Sequence, residues 1–208
     1  MPAPIIKLSN ITNLHDARFG AGMGTLLEMM IGFSLNPNHK NYVTEPDFVQ
    51  ISSWITGCKI VAELGNEISK EAQAILSNTD YTIDFVEISN ISLLSQLREK
   101  NYDFPIIFST KIENIISLEK NNDIDYLLIE AETINITEND IHTLQKLATE
   151  YSVILSFGIT NKNVLDLISQ TNIKGIAFKG QTETEIGMGG YTDFDEISDI
   201  LEKVEELS

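Results

Sequence analysis

Pro4-Ile5-Ile6-Lys7-Leu8-Ser9-Asn10-Ile11-Thr12 is a short β-branched run that breaks off into two small polar residues. The run reads as a strand, and the residues just after it decide between two folds. An open, doubly wound sheet built around a dinucleotide wants a glycine-rich loop after its first strand. Ser9-Asn10-Ile11-Thr12 contains no glycine. Similar apolar runs recur at Leu26–Phe33, Lys59–Leu64, Phe85–Ser89, Pro105–Thr110, Tyr126–Glu130, Ser152–Ser156 and Gly175–Lys179. Between and after them, amphipathic spacing predicts helices near 13–22, 45–55, 67–77, 91–100, 111–121, 138–150, 160–170 and 193–206. Thr44-Glu45-Pro46, Thr137-Glu138 and Thr160-Asn161-Lys162-Asn163 supply capping chemistry at three of the helix starts. Strict β-α alternation without hairpin signals implies a parallel sheet. Repeated units that begin with a strand and end with a helix fit a closed (β/α)8 TIM barrel, α/β in class, as a single domain over residues 1–208.

Composition narrows the function. Fourteen basic against 31 acidic residues leave a net charge of −17, which opposes a phosphate-backbone binder, so no nucleic-acid partner is expected. No run approaches the ~18 apolar residues of a membrane span, and Met1–Lys7 shows no secretory pattern. The single cysteine, Cys58, forbids an internal disulfide. Together these point to the cytoplasm. Three scattered histidines offer no metal-ligand spacing, and neither a metal nor a cofactor is expected.

Three segments carry a family likeness. Lys7-Leu8-Ser9-Asn10-Ile11-Thr12 through Asp16-Ala17, Gly32-Phe33 through Tyr42-Val43, and Leu155-Ser156-Phe157-Gly158-Ile159 with Asn163-Val164 resemble phosphoribosylanthranilate isomerase, the tryptophan-pathway barrel. The resemblance implies an intramolecular isomerase that performs an Amadori rearrangement of an N-aryl ribosylamine phosphate. It places Ser9 where the family has its general-base cysteine, and Asn10 where a glycine comes next. Asn41, beside Lys40, stands where the family has an arginine. The general-acid aspartate falls at Ile129 or Glu130, with Glu130 the better candidate. Gly158 and Gly180 keep one glycine each in the two loops where the family binds phosphate. A small anionic sugar phosphate is the ligand this implies, with Lys7, Lys40, Gly158, Lys179 and Gly180 as binding candidates.

The residues themselves qualify that activity. A thiol can be tuned to a thiolate base, whereas a serine hydroxyl needs a partner base to ionise near neutrality. Activity is therefore expected to be weak, altered or lost. Strand alternation adds a second prediction. Ile6 and Leu8 suit the helix layer, which turns Lys7 and Ser9 inward. The same parity gathers Glu63, Glu87 with Ser89, Ser109 with Lys111, Glu130 with Glu132, Ser156 and Lys179 near the C-terminal rim. Counted one per strand, three lysines face three glutamates. Glu63 and Glu87 are the candidates for a replacement base. A non-catalytic binding or interaction barrel, or Schiff-base chemistry on an inward lysine, remain the other readings.

Overall fold

The computed structural model describes residues 4–23, 27–117, 120–133, 135–179 and 194–206. Eight strands close into a parallel barrel in sequence order: β1 (Ile5–Ser9), β2 (Glu28–Ser34), β3 (Lys59–Gly65), β4 (Phe85–Ile88), β5 (Ile106–Lys111), β6 (Tyr126–Glu130), β7 (Val153–Leu155) and β8 (Gly175–Lys179). The outer layer is α1 (Leu14–Met23), α2 (Glu45–Ser52), α3 (Lys70–Leu76), α4 (Leu93–Glu99), α5 (Glu138–Leu147), α6 (Val164–Thr171) and α7 (Phe194–Glu205). The ring closes where β8 pairs with β1 over five positions, from Ile5 opposite Gly175 to Ser9 opposite Lys179. β7 is the shortest strand and shares two positions with β8.

Two elements depart from the sequence expectation. Between β5 and β6 the predicted helix is a 3₁₀ helix, Ile112–Ser117. β-Branched isoleucines are poor α-formers, and three-residue spacing sets Ile112 and Ile115 on one side, where both pack on the outer core. The helix predicted near 160 begins instead at Val164. Asn163 does not cap it with its side chain. Its Oδ1 accepts from the Thr160 amide (2.8 Å) and its Nδ2 donates to the Gly158 carbonyl (2.7 Å), so the side chain ties the preceding loop.

The alternation of each strand sorts the core into two parts. Ile6, Leu8, Met29, Ile31, Val86, Phe108, Ile129 and Ile176 pack outward against the helices. Ile5, Met30, Val61, Ile107, Leu128, Ile154 and Ala177 fill the barrel interior, with Phe85 and Tyr126 against them. At the N-terminal ends of the strands, Asp84 and Asp125 accept from the Ile60 and Ile106 amides, each at 2.8 Å. One strand pleat above the apolar floor, toward the C-terminal rim, the inward positions turn polar. That switch creates the site.

Candidate active site

Lys7 lies two residues beyond Ile5 on β1, so it stands directly above the apolar floor and is fully buried. An isolated buried ammonium is costly unless paired and hydrogen-bonded, and three oxygens surround this one. Its Nζ lies 2.5 Å from Ser9 Oγ, 2.5 Å from Glu63 Oε1 and 2.8 Å from Glu87 Oε2. Glu63 is pinned at both oxygens, because Oε2 accepts from the Asn10 amide at 3.0 Å. Glu87 Oε2 is an ion-pair contact outside hydrogen-bond alignment.

Two neighbours make this packing feasible. Gly32 on β2 sits beneath the Glu63 carboxylate; a Cβ there would come within 2.0 Å of Oε1 and 3.0 Å of Lys7 Nζ. Asn10 has φ +59, a left-handed conformation that asparagine tolerates better than most side chains. Asn10 thus holds the turn and aims its backbone amide at Glu63.

The charges do not balance. Lys7 carries one positive charge and its two glutamates, when both ionised, carry two negative ones. Burial would depress the lysine, but the Glu63 and Glu87 carboxylates outweigh it and hold the ammonium above its ordinary value. For Glu87, burial pushes the carboxyl up, Lys7 pulls it back, and the negative charges of Glu63 and Glu130 push it up again, to about 7.

Nearer the rim the pairs are more open. Lys179 Nζ meets Glu130 Oε1 at 3.0 Å. Ile129 packs in the outer core, so Glu130 is the residue of that strand end that reaches the mouth. Lys111 pairs with Glu132 at 2.7 Å rather than with Glu130, and that contact lowers the Glu132 carboxyl and raises Lys111. The balance of three lysines against three glutamates is therefore replaced by three lysines against Glu63, Glu87, Glu130 and Glu132.

Ser109 is buried, and Ser89 is exposed one residue past the end of β4. Ser156 Oγ donates to the Ile129 carbonyl at 3.2 Å. Lys40 is exposed on the segment between β2 and α2, where Asn41 is the buried polar residue. Gly158 has φ +68, and a Cβ there would meet Ile136 at 2.8 Å, so its loop requires glycine whatever it binds. Gly180 lies outside the described residues. Gly32 is the site residue that sequence reasoning missed; its inward parity on β2, two residues beyond the inward Met30, was the available signal. Among the described residues no group of His, Cys, Asp or Glu could hold a metal ion, and no helix is long and apolar enough to cross a membrane.

No protein-family profile matches the sequence, and no curated protein matches it significantly. Solved structures do match. Phosphoribosyl anthranilate isomerase from Thermotoga maritima is 20% identical with a TM-score of 0.75, over 99% of this chain and 100% of that one. The isomerase from Thermus thermophilus is 15% identical with a TM-score of 0.71, over the whole of both chains. A third, solved in complex with reduced 1-(o-carboxyphenylamino)-1-deoxyribulose 5-phosphate, is 19% identical with a TM-score of 0.70, over 99% of this chain and 100% of that one. End to end, the chain has the fold of the phosphoribosylanthranilate isomerases.

Proposed function

We propose that this barrel is an isomerase of the phosphoribosylanthranilate type working at low efficiency, its inherited base position no longer competent. The observation that carries the reading is the Lys7–Ser9 contact, in which the hydroxyl accepts from a buried ammonium at 2.5 Å. A hydroxyl so placed has a cation where a proton-accepting partner would have to be. On this reading Glu130 takes up a proton once Lys179 turns from it to the phosphate, and hands that proton to the furanose oxygen. Gly158, Lys179, Gly180 and Lys40 meet the anionic parts of the substrate, with Lys179 exchanging Glu130 for phosphate. Schiff-base chemistry on Lys7 is disfavoured, since its carboxylates keep the ammonium protonated.

A second reading draws on the same polar layer. Lys7, Glu63 and Ser9 satisfy one another and occupy the floor of the mouth, as they would in a non-catalytic binding barrel. Purified protein assayed on phosphoribosylanthranilate separates the two. Turnover above the uncatalysed background but more than about tenfold below a thiolate-containing relative supports the isomerase. A rate at the uncatalysed background supports the binding barrel, and a rate within about tenfold of the relative overturns the loss of the base.

A further inference from the structure

We infer that Glu87 is the proton-exchanging carboxyl of the mouth and, on the isomerase reading above, the base that acts at C2 of the sugar. Two carboxylates compete for that role, and geometry separates them. Glu63 spends one oxygen on Lys7 and the other on the Asn10 amide, and its side chain is 7% exposed. Glu87 touches Lys7 through Oε2 alone, and its side chain is 12% exposed at the end of β4. Glu63 is a fixed counterion. Glu87 can change partners.

Position supports the assignment. Ser9 Oγ and Glu87 Oε2 lie 2.5 and 2.8 Å from the same nitrogen, so Glu87 is one ammonium away from the place where the fold's relatives are expected to hold a thiol. The charged groups that bear on Glu87 are Lys7 from β1, Glu63 from β3 and Glu130 from β6. Burial and the two carboxylates favour its protonated form and Lys7 opposes it, so the group is poised near neutrality, which suits a general base.

The chemistry balances without a further reactant. Glu130 gives a proton to the ring oxygen, the C1–O bond breaks, and the nitrogen lone pair forms an iminium at C1. Glu87 then takes the C2 proton. The C–H electron pair becomes the C1–C2 double bond, and the iminium electrons return to nitrogen. Glu87 delivers its proton to C1 while the C2 hydroxyl proton returns to Glu130, leaving the ketose amine and both carboxyls as they began. Lys7 is a positioning residue that orients Glu87.

The test is a titration of the full chain carrying ¹³C-carboxyl glutamate, run without substrate beside the pH–rate profile on phosphoribosylanthranilate. One glutamate should titrate near pH 7; its signal should vanish in Glu87→Gln and move to lower pH in Glu63→Gln, where a neighbouring negative charge is gone. The residual rate should rise with that deprotonation and fall about 10²–10⁴-fold in Glu87→Gln. A near-neutral midpoint that is absent, or that persists in Glu87→Gln, overturns the assignment, as does a Glu87→Gln enzyme that keeps the wild-type rate. The predicted titration with no turnover in any variant supports Glu87 as the proton site and overturns the isomerase reading instead.

Discussion

At Gly32 the missing side chain is what the site uses. Glu63 holds Lys7 and the Asn10 amide across the space a β-carbon would fill. Gly32→Ala should therefore force the carboxylate out of both contacts and destabilise the fold by about 1–3 kcal/mol, read from chemical denaturation. Which residues face the mouth was legible from alternation alone: Lys7, Glu63, Glu87, Glu130 and Lys179 all meet there. Who pairs with whom was not. Period-two parity gives a direction but no distance, so it could not foresee one lysine taking two glutamates, nor Lys111 reaching Glu132. The role of Gly32 was hidden for a related reason. Glycine reads as a turn signal in one dimension, and only the neighbours on β1 and β3 make it a void.

Among the elements, the clearest signals were those whose chemistry is local. Thr137 caps α5: its hydroxyl oxygen accepts from the Asp140 amide, and the Asp140 carboxylate accepts from the Thr137 amide in return. Thr137→Ala should cost about 1 kcal/mol, checked by the shift in denaturation midpoint, with the barrel otherwise unchanged. Thr44 and Ser69 cap α2 and α3 through their hydroxyl oxygens, which accept from the Asp47 and Ala72 amides. Asn163 shows where local reading stops. Its residue type suits a cap, yet tertiary contact turns it back onto the Thr160–Gly158 loop and α6 starts later than spacing suggests. The 3₁₀ helix Ile112–Ser117 is a second case, because an isoleucine-rich stretch scores as amphipathic whether its turn holds three residues or 3.6.

For the molecule as a whole, the buried charges tie stability to pH. Glu87 has its folded value raised from 4.5 to about 7. A group raised on folding contributes stability that is fully present below its unfolded value and lost as pH rises through its folded value. Glu87 should therefore lower the melting temperature progressively between about pH 4.5 and 7, with a free-energy loss on the order of 3 kcal/mol. Glu87→Gln should flatten that part of the profile. Subtracting the two curves also removes the background repulsion of a chain with net charge −17, so identical slopes in both proteins would contradict the assignment.

β7 gives the ring a thin joint. It offers β8 two paired positions, whereas β8 is held to β1 by five. Local opening costs least where the fewest hydrogen bonds must separate, so the seam between β7 and β8 is where the ring should open first, checked by the amide hydrogen exchange of β7. The arc running from β8 through β1 to β4, which carries Lys7, Gly32, Glu63 and Glu87, is not cut by that motion. Such an opening would reach the Gly158 loop, at the exit of β7. A ligand arriving there would meet the part of the wall that yields, while the charges below it stay dry.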